Sequence, residues 1–341
     1  MIRTPLALTS RSSRIDALHY GSIAVVDAEG TLLFSANDPG YPTYLRSSIK
    51  MIQALPVVLS GAADRFGLTS KELAITVASH AATRDHVDVV EGMLLRLGLG
   101  EPSLGCGAHE PEDRTERNRL IRASEEPTQL HNNCSGKHAG MLATCLAKGW
   151  PLDSYLEIDH PLQEWILDLM AAYSGVPREQ IGIGIDGCSL PAYYMPISGA
   201  AQIAARFVRA AHNDPSGAEA RVHGAVAAHP EMINAAGGFD TELIRATGGR
   251  MIAKRGAMAI FLIGVASRQY GPLGVAVKLE DGVMTPMPTV VMQTLEALNL
   301  LEPEEIAALD SFRRLPQRNW RGIEVGEITA GVKLKKSGEE G

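Results

Sequence analysis

From Gly21 the chain reads Gly-Ser-Ile-Ala-Val-Val-Asp, then Ala28-Glu29-Gly30, then Thr31-Leu32-Leu33-Phe34-Ser35. Two apolar runs around a glycine-containing turn predict an antiparallel hairpin. From Ser47 to about Leu59 the apolar spacing is helical, with Pro56 expected to kink or divide the helix. Leu73-Ala74-Ile75-Thr76-Val77-Ala78 is a short apolar run that reads as strand-like, and a helix is predicted beyond Asp85. Further helices are predicted at 136 to 148, 161 to 174 and 198 to 213. Between 245 and 280 the texture changes to glycine-punctuated strands, Ala257 to Ala266 and Leu273 to Leu279, which predict a second hairpin closed by Glu280-Asp281-Gly282. A helix at about 289 to 299, the acidic helix start at Glu302 to Glu305 and a frayed lysine-rich tail complete the pattern. Strands, a helical middle and strands again predict an α+β fold, an antiparallel sheet flanked by helices. The chain reads as a single catalytic unit over 1–341, with residues of about 60 to 200 forming a mostly helical lobe.

Composition narrows the class. The 341 residues are 45% apolar and 21% charged, the balance of a compact globular protein able to enclose a buried site. A formal charge of −7 with scattered Lys and Arg argues against nucleic acid as partner. The longest apolar run, around Ala257 to Ala266, falls well short of the ~18 residues of a membrane span. Pro5 to Leu8 is too brief for a secretory signal, and the four cysteines, Cys106, Cys134, Cys145 and Cys188, are too few for a disulfide framework. A cytoplasmic protein with reduced thiols is expected.

Candidate chemistry lies in five places. Ser47 and Lys50 are three apart at a helix start, so both project from one face, and a lysine desolvated beside Met51, Ile52 and Leu55 can lose enough basicity to take a serine proton. By spacing alone, an N-cap serine with an exposed lysine is the commoner explanation of this pair. Ser79 ends its apolar run before His80 and the polar stretch to His86, a place suited to an active serine or to a helix cap; the two histidines read as polar residues of the site wall. Asn132-Asn133-Cys134-Ser135-Gly136-Lys137-His138 is a polar loop running into an apolar helix. Asp186-Gly187-Cys188 follows a strand, so Cys134 and Cys188 can meet, either as a metal site with Asp186 and Lys137 or His138, or as a hydrogen-bonded thiol pair without an ion. Cys106 and Cys145 read as core residues. Lys254 is placed at the entrance of the strand beginning at Ala257.

Arg46-Ser47-Ser48-Ile49-Lys50, Gln53-Ala54-Leu55-Pro56, Ala78-Ser79-His80, Asn132 to His138 and Asp186-Gly187-Cys188 together resemble, in order, the motifs of the Rhizobium etli-type (class 3) asparaginases. The resemblance spans nearly the whole chain. It implies a fold similar to serine β-lactamases and glutaminases, a homodimer, and hydrolysis of the side-chain amide of L-asparagine by serine and lysine. Position by position, it implies Ser47 as nucleophile with Lys50 as its base, and Ser79 with Lys254 as a second pair. It implies a supportive zinc held by Cys134, Lys137 and Cys188 with Asp186 close by. Arg46, Asn133, His138 and Asp186 are the candidates for holding substrate. The Lys-Thr-Gly signature of β-lactamases is absent; Lys254-Arg255-Gly256 stands in a comparable place. The alternatives are a glutaminase or β-lactamase-like hydrolase of another amide, and a non-catalytic amino-acid-binding module.

Overall fold

The computed structural model describes residues 3–338, so the last three residues of the lysine-rich tail and the first two of the chain lie outside it. Its centre is a six-stranded antiparallel sheet in the order Lys335–Lys336, Leu32–Ala36, Gly21–Asp27, Gly271–Leu279, Ile260–Ser267, Met251–Gly256. Both predicted hairpins lie in it, and the N- and C-terminal strands meet at its middle, where Val25 faces Val275. The fold is thus α+β with an antiparallel sheet flanked by helices. No helix among the described residues is long and apolar enough to cross a membrane.

The helix Ile197–Asn213 lies against the sheet, with Ile203, Ala204 and Phe207 fully buried. Close approach requires Gly274: a Cβ there would sit 1.8 Å from the carbonyl oxygen of Ala201. Any side chain would push helix and sheet apart and open a gap in a packed core.

The helices Arg84–Arg96, Ser135–Lys148 and Pro161–Ser174 form where the apolar spacing predicts them. Thr83, with a capping box to His86, starts the first. Ser79 is therefore not its cap.

Four local readings need correction. The run beginning at Leu73 is not a strand: Ser70–Ile75 is a helix capped by Thr69 and Glu72, and six apolar residues are too few to separate the two periods. The helix expected from Ser47 opens instead as a 3₁₀ turn, Arg46–Ile49, and then divides beside Pro56 as predicted, into Lys50–Gln53 and Leu55–Leu59. Met251–Gly256 is itself a strand, so Lys254 lies within it, and Ala257 to Ala259 form the turn to Ile260–Ser267. The tail is not wholly frayed, because Lys335–Lys336 pair with Phe34 and Ser35.

Two smaller sheets complete the architecture. One, in the order Leu315–Arg318, Glu324–Ala330, Ala7–Arg11, Arg14–His19, joins both ends of the chain. In the other, Pro191–Pro196 is paired on one side with Pro42–Tyr44 and on the other with Gly182–Ile185. That sheet delivers Arg46 and Asp186 to the same place, since one follows Tyr44 and the other follows Ile185.

Candidate active site

Ser79 sits just past the helix Ser70–Ile75, in a stretch pinned by its backbone: Ser79 N donates to Ile233 O at 2.9 Å, His80 N to Asn133 O at 3.2 Å and Ala81 N to Asn234 O at 3.1 Å. Two lysines converge on its hydroxyl. Lys50 Nζ lies 3.1 Å from Ser79 Oγ, and Lys254 Nζ lies 3.0 Å from it on the edge strand of the main sheet. Both amines are fully buried. Burial lowers the pKa of Lys50, against a raising influence from Cys134, and lowers that of Lys254 to about 7, against a raising influence from Asp240.

Counting protons shows what this geometry can do. Lys254 Nζ donates to the Arg255 carbonyl at 2.9 Å, and Lys50 Nζ donates to the Ala78 carbonyl. A carbonyl can only accept, so each amine spends one N–H there. The Ser79 hydroxyl has a single proton and can donate to one amine only, while accepting from the other. Lys50, Ser79 and Lys254 therefore form one hydrogen-bonded set, in which the hydroxyl oxygen can accept from both amines or pass its proton to one that is neutral.

Lys50 also lies 3.2 Å from Cys134 Sγ. The three acceptors around its amine are Ala78 O, Ser79 Oγ and Cys134 Sγ, and Ser47 is not among them. Ser47 is half-buried in the turn Arg46–Ile49, whose Ser48 hydroxyl is tied to Leu45 O at 2.7 Å. The predicted face shared by Ser47 and Lys50 is thus a tight 3₁₀ turn, with the lysine directed to the second serine.

Cys134 and Cys188 meet, as their places in the sequence suggested. The Cys188 thiol hydrogen-bonded to Cys134, helped by the neighbouring charges of Lys50 and Lys137, holds the Cys134 thiol well below its ordinary pKa despite burial. Lys137 Nζ lies 3.2 Å from Cys188 Sγ; burial disfavours its charge, but Cys188, Cys134 and Asp186 together raise its pKa. Helix Ser135–Lys148 reaches this position because Gly136 abuts the helix Ser70–Ile75, where a Cβ would stand 2.4 Å from Ile75 O. Cys106 and Cys145 are buried thiols whose pKa burial pushes up to about 12, as befits core residues.

The four candidates for holding substrate separate into two kinds. Arg46 and Asp186 form an ion pair, Nε to Oδ1 at 2.8 Å, at the half-exposed rim beside Ser47. Asn133 Oδ1 lies 3.1 Å from Cys134 Sγ. His138 is fully buried and bonded through Nδ1 to Tyr155 Oη at 2.6 Å; burial and the nearby Lys137 and Lys50 keep it neutral, and its Nε2 has no hydrogen-bond partner. His80 is also buried, and burial foremost holds its pKa well below the ordinary value. Its Nδ1 accepts from Ala82 N at 3.1 Å, so Nε2 donates to Ser135 Oγ at 2.8 Å and braces the loop after Ser79 against the cysteine loop. Backbone strain gathers here: Arg46, Ala82 and Ser189 hold φ of 50°, 57° and 70° although none is glycine.

A profile of the L-asparaginase II family matches residues 7–330. The chain belongs to that family. It is accordingly an amidohydrolase, a hydrolytic amidase of the asparaginase class. No curated protein matches the chain. Among solved structures it is similar to a Bacillus subtilis glutaminase in covalent complex with 5-oxo-L-norleucine, at 13% identity over 82% of this chain and 88% of that one, with a TM-score of 0.37. A probable Bacillus subtilis glutaminase complexed with 6-diazo-5-oxo-L-norleucine matches at 12% identity over 82% and 84%, with a TM-score of 0.38. These likenesses are loose, and the α+β class rests on the sheets described above.

For this asparaginase II family member, sequence reading missed Asp240 and Asn234. Asp240 is fully buried with one oxygen 3.8 Å from Lys254 Nζ, and its other oxygen accepts from Asn234 Nδ2 at 3.1 Å. The only sequence signal was an acid after Gly237-Gly238 at a helix start, which ordinarily marks an exposed first-turn carboxylate.

Proposed function

We propose that this amidase hydrolyses the side-chain amide of L-asparagine to L-aspartate and ammonia through an acyl-enzyme. The observation that carries the reading is the pair of desolvated lysine amines on one buried serine hydroxyl, an arrangement that stores a proton acceptor and a proton donor side by side. Ser47 is the nucleophile: it is the accessible serine of the two, and it begins the turn that leads to Lys50. Its proton passes to Lys50, which for this step exchanges one of its contacts with Ala78, Ser79 and Cys134 for Ser47 Oγ, as Ser47 Oγ bonds to the amide carbon. Lys254 returns a proton through Ser79 to the leaving nitrogen, the C–N bond breaks, and ammonia departs. Water then adds to the ester carbon while its proton passes through Ser79 to Lys254, and the Ser47 Oγ–C bond breaks as Oγ takes its proton back from Lys50, releasing the carboxylic acid. The Arg46 guanidinium and Asp186 carboxylate are suited to the α-carboxylate and α-ammonium of a free amino acid. Asn133, beside Cys134, and the neutral His138 complete the proposed substrate-holding set.

The thiol cluster fits the zinc implied by the sequence resemblance in donor chemistry. Among the described residues no three or more His, Cys, Asp or Glu side chains gather as a metal site, so a metal here depends on Lys137 as third donor beside Cys134 and Cys188. Two thiols and an amine, all buried within reach of one another, make a soft set suited to zinc once Lys137 is neutral, and binding would release protons. When bound, zinc would supply a fixed positive charge that orders the cysteine loop near the substrate. The same reading includes a homodimer, checked by light scattering of the purified protein.

Ammonia release from L-asparagine, L-glutamine and nitrocefin separates this reading from the other amide substrates and from a mere amino-acid-binding module. With hydroxylamine added, an acyl-enzyme on Ser47 partitions to aspartyl hydroxamate, and Ser47→Ala yields neither product. Hydrolysis by Ser47→Ala at the wild-type rate would remove Ser47 from the mechanism.

A further inference from the structure

Asp240 lies in the first turn of Phe239–Ala246 and is as inaccessible to solvent as the lysine it faces. A carboxylate in such a place is costly unless its oxygens are occupied and a cation is near. Here they are occupied. Oδ1 accepts from Asn234 Nδ2 at 3.1 Å, and Oδ2 faces Arg255 N at 3.4 Å and Lys254 Nζ at 3.8 Å. The Asn234 carbonyl in turn accepts from Ala81 N at 3.1 Å, and the adjoining Ile233 carbonyl from Ser79 N at 2.9 Å.

One carboxylate thus touches both halves of the Ser79–Lys254 pair. Through Oδ2 it faces the lysine amine, and through Oδ1 and Asn234 it anchors the backbone that carries the serine. The geometry points to Asp240 as a positioning residue for that pair, setting where the Lys254 amine stands and which charge it favours. Other groups face Lys254 as well. Lys50 lies across the Ser79 hydroxyl with Cys134 behind it, and Arg255, next in the strand, is occupied by Glu112 at 2.8 Å and Asn234 Oδ1 at 3.2 Å. Asp240 supplies negative charge on the strand side of the amine. An asparagine at 240 would keep the shape and lose that charge, and its amide would turn a donor toward groups that already donate.

The inference rests on the proposed role of Lys254, and the experiment separates the two. The full chain is assayed for ammonia release from L-asparagine across pH 5 to 9 as wild type, Asp240→Asn, Asn234→Ala, Lys254→Met and the double variant Asp240→Asn with Lys254→Met. Asp240→Asn lowers kcat about 100-fold with little change in KM. It also moves the alkaline limb of kcat/KM about one pH unit lower, because removing a nearby negative charge disfavours the ammonium. Asn234→Ala, which keeps the charge and removes the amide that ties Asp240 Oδ1 to this stretch of backbone, lowers kcat about tenfold and leaves the limb in place. In the Lys254→Met background the Asp240 change has no further effect. An unmoved limb in Asp240→Asn, or effects of the two changes that multiply, overturns the inference while leaving Lys254 in its role. Wild-type activity in Lys254→Met overturns that role itself. Should Asp240→Asn not fold, wild-type kcat in Asn234→Ala would overturn the positioning argument and a reduced one would support it.

Discussion

Lys50 and Lys254 reach the same hydroxyl from opposite sides, and their surroundings differ in kind. Lys254 stands on a strand of the main sheet, with a buried carboxylate 3.8 Å away and a backbone carbonyl at 2.9 Å. Lys50 stands on a single turn of helix, Lys50–Gln53, beside a thiol whose proton is easily lost. Burial lowers the basicity of both, but the partner that opposes burial is a carboxylate on one side and a sulfur on the other. The contrast teaches how two identical side chains on one serine can act unequally. A carboxylate stays charged across the working range of pH, whereas a thiol can change protonation or bind a metal.

The strongest way to break the comparison is to remove each amine. Lys254→Met and Lys50→Met each lower kcat/KM for L-asparagine by about 1,000-fold, in the range of a lost general acid or base, and the double variant is little worse than either because the relay acts as a unit. Multiplicative losses in steady-state kinetics would mean two independent devices. On the sulfur side alone, Cys134→Ala, Cys188→Ala or removal of bound metal by a chelator lowers activity by about 10- to 100-fold, measured with zinc content on the same samples. The strand side is sharpened by pH. Lys254, depressed to about 7, is charged below that value and neutral above it, so activity that requires the proton Lys254 returns falls about tenfold per unit as the pH rises above 7. An exposed lysine would remain charged to about pH 10 and show no such limb near neutrality. The smallest effect is on stability. Ala82→Gly raises the unfolding free energy by about 1 kcal/mol in chemical denaturation, because a φ of 57° is strained for alanine and free for glycine.

Much of this comparison was legible in the chain. Ser47, Lys50, Ser79, Lys254, Cys134, Lys137 and Cys188 were all singled out, and the structure brings Lys50, Ser79 and Lys254 into one hydrogen-bonded set and the two thiols with Lys137 into another. Local spacing suggested a partner for Lys50 three residues away, while its amine turned to a residue 29 positions on. That choice depends on how a helix, a strand and two loops pack, which no window of sequence contains. Asp240 escaped for the same reason, since an acid at a helix start looks like a surface feature until burial is known. The sheet formed by both chain ends escaped because Arg14–His19 is almost wholly exposed and so lacks the alternation that marks a half-buried strand. The long helices were easy, because their apolar faces repeat for several turns.

The left-handed turns at Arg46, Ala82 and Ser189 bear on how this protein could be re-engineered. Each lies next to a loop that carries a reactive group, so relaxing one alters aim as well as stress. At position 46 glycine would ease the main chain but delete the guanidinium, and at 189 it would loosen the peptide beside a sulfur. Position 82 alone can be softened without discarding a polar group, which makes it the natural first step toward a hardier catalyst and a measure of how far resilience and reactivity can be separated here.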